Sequence, residues 1–229
     1  MAPGCLRTGV FLWDNILSKK RLNCYIDGFN LYHSIDDLGP KYNYLKWLDL
    51  WSLAHAFVKT STEQLKAVYY FSALAYWLKE PRQRHEEFIK AIKCFGVTPI
   101  LGHFKKKPGY CKSCGAKWTA HEEKQSDVNI AAYLIHHSHM NQFDKALVIT
   151  ADSDLCPAIQ LIIDSHTDKE IVILVPPNRY KITRELRGMV TTQKIKQKHL
   201  KKNQLPDIIR DKTTGEIVVS RPKKYYHVY

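Results

Sequence analysis

The feature that most constrains this chain is the run KALVITADSD at residues 145–154. Its Ala, Leu, Val and Ile residues form a stretch of strand length too apolar for a surface strand. The run stops abruptly on Asp152-Ser153-Asp154. In an open parallel sheet, ligands gather outside the carboxyl ends of the strands, so two carboxylates delivered there predict a cation site. Upstream, a helix is expected from about Glu122. In it Asp127, Ile130, Ala131 and Leu134 fall at i, i+3, i+4 and i+7, which puts an acid on the stripe that faces the sheet.

A second unit of the same kind opens at residues 21–29, RLNCYIDGF. Residues 22–26 predict a short strand with Asp27 at its end. Gly28 permits an unusual backbone there, and Asn30 is placed to cap the next helix. Further strands are expected at 67–71, 97–101 and 170–175. Helices are expected at 44–58 and from Pro81 to Gly96. Strands alternate with helices, which predicts a three-layer α/β/α, Rossmann-like domain with a mainly parallel sheet. The domain is expected over residues 21–190, between an N-terminal extension (1–20) and a basic C-terminal segment (191–229).

The pattern breaks at residues 102–121, GHFKKKPGYCKSCGAKWTAH. Cys111 and Cys114 have the spacing of a zinc knuckle, and His103 and His121 flank them. Four such ligands close a tetrahedral shell, so a structural zinc insertion is expected here. The other cysteines are scattered and read as buried thiols of a cytoplasmic protein. The chain has no apolar run long enough to span a bilayer.

Like charges about 4 Å apart repel by roughly 4 kcal/mol at an effective dielectric near 20. If Asp27, Asp127, Asp152 and Asp154 converge, they therefore call for a divalent cation, Mg2+ or Mn2+. Each acid alone also has a plainer reading. Asp154 or Ser153 caps a helix, Asn30 is an ordinary cap, and Asp127 favours a helix dipole. Lys124 either pairs with the acids or steadies a phosphate. The net charge is +13, and from Arg179 onward fourteen basic residues stand against four acids. A cation site beneath a basic surface points to metal-dependent hydrolysis of nucleic acid. Lys105, Lys106, Lys107, Arg179 and Arg184 would track the phosphates, and Tyr110 and Trp118 would offer stacking surfaces.

Together, YIDGFN, EEKQSDVNIA and ALVITADSDLCPAIQLI resemble the NYN domains of the PIN-like nuclease superfamily, in the LabA-like branch. The Cys-x-x-Cys insertion and Gln204-Leu205-Pro206 resemble its cysteine-containing subgroup. The resemblance covers roughly residues 22–206. It implies an endoribonuclease using Mg2+ or Mn2+, with Asp27, Asp127, Asp152 and Asp154 as site acids and Asn30 beside them. Tyr133 stands where many relatives carry another acid, and Thr150-Ala151 replaces the more usual Ser-Gly. The preference for RNA over DNA rests on the resemblance. Two other readings remain. One is a nucleic-acid-binding regulator that keeps the fold and the basic surface but does not cleave; under any reading a homodimer or a protein partner is an open expectation. The other is a nucleotide-sugar transferase using the D-x-D, which would need neither Asp27 nor Asp127.

Overall fold

The computed structural model describes residues 19–180 and 184–226; most of the expected N-terminal extension lies outside them. Seven strands form one sheet: β1 (Lys20–Asp27), β2 (Glu63–Ala73), β3 (Val97–Tyr110), β4 (Lys117–Lys124), β5 (Lys145–Ile149), β6 (Glu170–Val175) and β7 (Thr191–Lys194). Their order is β4-β3-β2-β1-β5-β6-β7, and every pairing is parallel except β3 with β4. The chain moves outward from β1 to one edge, then returns to β5 and builds toward the other. The direction of winding thus reverses between β1 and β5, where open α/β sheets bind ligands.

The expected α/β/α layering follows from strand alternation. Leu22, Cys24 and Ile26 of β1, Leu147 and Ile149 of β5, and Val172 and Leu174 of β6 enter one core. That core is closed by α1 (Gly28–Asp36), α2 (Leu50–His55) and α3 (Lys79–Cys94). Tyr25, Ala146, Val148, Ile171 and Ile173 enter the other core, beneath α4 (Ser126–His139), α5 (Cys156–Ser165) and α6 (Arg184–Met189). All five residues of β5 are buried. Covered on both faces, the strand is apolar from Ala146 to Ile149, with Lys145 at its start held by ion pairs, and each fully buried Leu, Ile or Val contributes roughly 1.5–3 kcal/mol.

Three expectations change. The helix foreseen at 44–58 is a 3-10 turn, Pro40–Lys46, followed by α2. Asp49 interrupts it because its side chain accepts from Ser52 N at 2.9 Å and caps α2. The helix expected from Glu122 begins at Ser126, because 117–124 is strand. The C-terminal segment is no appendage. β7 extends the sheet, and α7 (Gln197–Lys202), β8 (Ile208–Arg210) and β9 (Ile217–Ser220) follow it. Leu200, Leu205, Ile209, Val219 and Tyr225 complete the first core. Trp47 Nε1 donates to Pro206 O at 2.9 Å, so a buried indole N–H depends on this segment. Among the described residues, no helix is long and apolar enough to cross a membrane.

Candidate active site

Asp27 ends β1 and is 4% exposed. Its Oδ1 accepts from Asn30 N at 2.9 Å, so Asp27 itself caps α1. Asn30 is not the cap expected from the sequence; it lies inside the first turn, and its Oδ1 is buried without a hydrogen-bond partner. Gly28 permits this close packing. A Cβ there would stand 2.6 Å from Phe71 O and 2.7 Å from the Tyr70 ring.

Beyond β5, Thr150 links the two strand ends. Its Oγ1 donates to Asp27 Oδ2 at 3.0 Å and accepts from Asp152 N at 3.0 Å. Asp152 Oδ1 in turn accepts from Asp154 N at 2.9 Å and caps the short turn Ser153–Leu155. Capping thus falls to Asp152, and neither Ser153 nor Asp154 is the cap. Asp154 is exposed, yet its charge is still felt at Asp127.

Asp127 is in the first turn of α4. Burial pushes its carboxyl up to about 6, helped by the negative charges of Asp152, Glu123 and Asp154. Burial also raises Asp27 to about 6, against the opposing hydrogen bond from Asn30 N, and Asp127 and Asp152 add to the rise. The acids are therefore close enough to resist each other's ionisation.

Glu123 is a site residue that the sequence pattern does not reveal. It lies on β4 opposite Phe104, and its Oε1 accepts from Ser126 N at 3.0 Å at the head of α4. A carboxylate three residues before a helix start is a capping signal, readable only once 117–124 is known to be strand. Alternation then turns Glu122 and Lys124 to the other face, where Lys124 Nζ meets Glu122 Oε1 at 2.9 Å. Among the described residues Lys124 therefore pairs with Glu122 and with no aspartate.

Asp27, Asn30, Glu123, Asp127 and Asp152 line a cavity of about 1020 Å³, together with Phe29, Tyr70, Trp77, Phe88 and Phe104. Tyr133, on the face of α4 away from it, packs against Tyr69 and Phe71. His85, also in the cavity wall, is pushed down to about 4 by burial, and its Nε2 lies 3.3 Å from the Tyr70 hydroxyl.

The expected cations separate. Lys106 faces His121 across the hairpin and Phe104 faces Glu123, on the cavity side. Lys105 and Lys107 point the opposite way, with Lys107 Nζ 3.5 Å from Glu122. Arg179 lines the cavity, with its guanidinium 2.5 Å from Asp37. Arg184 is exposed at the start of α6.

The zinc set is also divided. Residues 103–124 form a β-hairpin, with Cys111 and Cys114 in its turn. His103 is eight residues down β3, roughly 26 Å along an extended strand. Its Nδ1 lies 3.0 Å from Gln125 Oε1. His121 pairs with Lys106, about 13 Å below the tip, and stacks on Trp77 at 3.6 Å. The four expected ligands do not converge, because extended backbone separates residues that a compact loop would have gathered.

Among the described residues, no three His, Cys, Asp or Glu side chains are arranged as a ready metal shell. The donor chemistry at the acid cluster nonetheless fits a hard divalent cation. It consists of carboxylate oxygens that disfavour each other's charge, together with the unpartnered Asn30 carbonyl oxygen.

No family profile matches the chain. The chain is similar to 6-hydroxy-3-succinoylpyridine 3-monooxygenase from Pseudomonas putida, with 29% identity over 192 residues. The matched region is 68% of this chain and 59% of that protein, so the chain spans about three fifths of the relative's length. The crystal structure of a protein of unknown function from Vibrio parahaemolyticus has a similar fold, with a TM-score of 0.51 and 16% identity. That match covers 78% of this chain and 94% of the other.

Proposed function

We propose that the chain is a Mg2+- or Mn2+-dependent nuclease of PIN-like, NYN type that hydrolyses phosphodiester bonds, with RNA as substrate. The observation that carries this reading is the placement of Asp27 and Asp152 at the carboxyl ends of the two strands flanking the switch point. Asp127 and Glu123 border the same cavity. Asp27, Asp127 and Asp152 would hold the cation. Asn30 Oδ1 is the neutral oxygen nearest in kind, and Asp154 acts from the rim. When bound, such an ion lowers the pKa of water and offsets charge on the phosphodiester. The chain's own residues supply the rest. Thr150 keeps Asp27 and Asp152 in register, and Glu123 fixes the start of the helix that presents Asp127. Lys106 and Arg179 attract the phosphate backbone from the cavity side, and the remaining basic surface adds salt-dependent affinity.

The test is incubation of the protein with labelled single-stranded RNA and DNA, in Mg2+, in Mn2+ and with chelator. Metal-dependent cleavage that disappears in Asp152→Asn is expected. Cleavage that survives both Asp152→Asn and Asp27→Asn would place the chemistry elsewhere. Tight binding without cleavage in every metal condition would favour the regulator.

A second reading draws support from the aromatic walls, Phe29, Trp77 and Phe104, which suit one flat heteroaromatic ring. The similar protein from Pseudomonas putida is named for oxygenation of a substituted pyridine. Incubation with 6-hydroxy-3-succinoylpyridine, dioxygen and a reductant, followed by mass spectrometry for an added oxygen atom, separates this reading from the first.

A further inference from the structure

The spacing of Cys111 and Cys114 predicts a four-ligand site on one chain, but the hairpin leaves them as a pair at its tip. The turn around them is built like a metal knuckle. Cys111 N donates to Ala116 O at 2.8 Å and Gly115 N donates to Cys111 O at 2.9 Å, folding the chain tightly back. Gly115 has φ +72°, a conformation that favours glycine. Ser113 Oγ lies 3.2 Å from the Cys111 sulfur, within hydrogen-bond reach.

A structural zinc takes four ligands, and this turn supplies two. The other described cysteines cannot add to it. Cys24 is buried in the middle of β1, Cys94 ends α3, and Cys156 begins α5. Extended backbone holds His103 and His121 far down the hairpin. We propose that the Cys111–Cys114 turn is half of a zinc site completed by the same turn of a second copy, so that a centre of four thiolates joins two hairpin tips on a two-fold axis.

Several observations support a second copy as the partner. A two-fold axis through the ion supplies two identical half-sites, which meets the tetrahedral requirement without any further sequence. The tip is a two-stranded ribbon whose residues are mostly exposed, Cys114 among them. Tyr110 and Trp118 are 59% and 54% exposed beside it, apolar surface that a facing tip would cover. Charge is also matched. Four thiolates around Zn2+ leave a net negative charge, and Lys112 and Lys117 from each copy flank it. Binding releases the thiol protons and involves no change of oxidation state. The proposal uses none of the site acids and stands apart from the nuclease reading.

The test uses the whole chain, reduced, stripped with chelator and titrated with Zn2+. Metal content is measured by elemental analysis and mass by sedimentation equilibrium. One zinc per two chains and a dimer are expected, with return to monomer on chelation. Cys111→Ser and Cys114→Ser should each abolish both zinc uptake and dimerisation while circular dichroism stays unchanged. His103→Ala should leave both intact. Co2+ in place of Zn2+ should give tetrahedral bands with thiolate charge transfer. One zinc per monomer, a dimer that ignores metal, or a Cys111–Cys114 disulfide that persists in reductant would each overturn the proposal.

Discussion

The Thr150 hydroxyl donates to Asp27 and accepts from the Asp152 backbone N–H, each at 3.0 Å, and so ties the ends of the two central strands together. Its removal therefore has distinct local consequences. In Thr150→Val, Asp27 Oδ2 loses a donor while remaining buried. The carboxyl, already at about 6, should rise further. Stability should fall by about 1–2 kcal/mol. The acidic limb of the cleavage pH profile should move to higher pH, and Thr150→Ser should restore it. An unchanged profile in Thr150→Val would remove this role.

Asp27 links activity and stability in opposite directions. Its carboxyl rises from 3.8 unfolded to about 6 folded because burial disfavours the charge. A raised carboxyl binds its proton more tightly when folded. Its contribution is thus fully present below pH 3.8 and lost as pH climbs through about 6. At about 1.4 kcal/mol per tenfold, the loss is at most roughly 3 kcal/mol. Asp27→Asn keeps the cap and should unfold at higher denaturant than the parent at pH 8 without metal, with little difference at pH 4. Cleavage, which needs the ionised carboxylate, should rise through pH 6 in the parent and fall by at least about a hundredfold in the variant.

Gly28→Ala tests whether backbone packing positions the site. The added methyl group would meet Phe71 O at 2.6 Å, and backbone cannot move aside as a side-chain end can. Overpacking of this kind costs about 1–3 kcal/mol. The first turn of α1 carries Asn30, so cleavage should fall more than stability alone accounts for. Paired denaturation and single-turnover measurements would check this.

Lys145 tests the opposite end of the central strands. Its Nζ is 3.0 Å from Glu63 and 3.1 Å from Glu170, where β2, β5 and β6 begin. Burial alone would lift the Glu63 carboxyl, but the Lys59 N–H and Lys145 outweigh it and hold the group below its ordinary value. Lys145→Met leaves Glu63 buried without its cation and should cost about 3–5 kcal/mol. Because burial then favours the neutral carboxyl, with only the Lys59 N–H and the charge of Lys20 opposing it, the loss should shrink as acid protonates Glu63. Metal-dependent cleavage at low temperature should survive, since the site lies at the other end of the strands.

Much of this architecture is local in origin. Residues 22–26, 145–149 and 170–175 are apolar almost throughout because their strands are covered on both faces, and that composition is visible without coordinates. Asp27 and Asp152 stand where such strands end, so their shared position follows from the alternation of strand and helix. Asp127 could be placed on its sheet-facing stripe by helical period alone. The hairpin left no comparable trace. An exposed Lys-rich ribbon buries no apolar stripe, so nothing in its composition distinguishes strand from loop. That one ambiguity hid Glu123, split Lys105, Lys106 and Lys107 between two faces, and drew His103 and His121 away from Cys111 and Cys114. Residues 191–226 read as a charged tail because six core side chains are scattered among lysines; only the long-range docking of residues such as Leu205 and Tyr225 makes them part of the domain. Sequence order and period therefore determined which acids end the central strands. Tertiary structure decided which groups surround them, because partners such as Thr150 and Glu123 meet Asp27 and Asp127 only after the sheet and hairpin have closed.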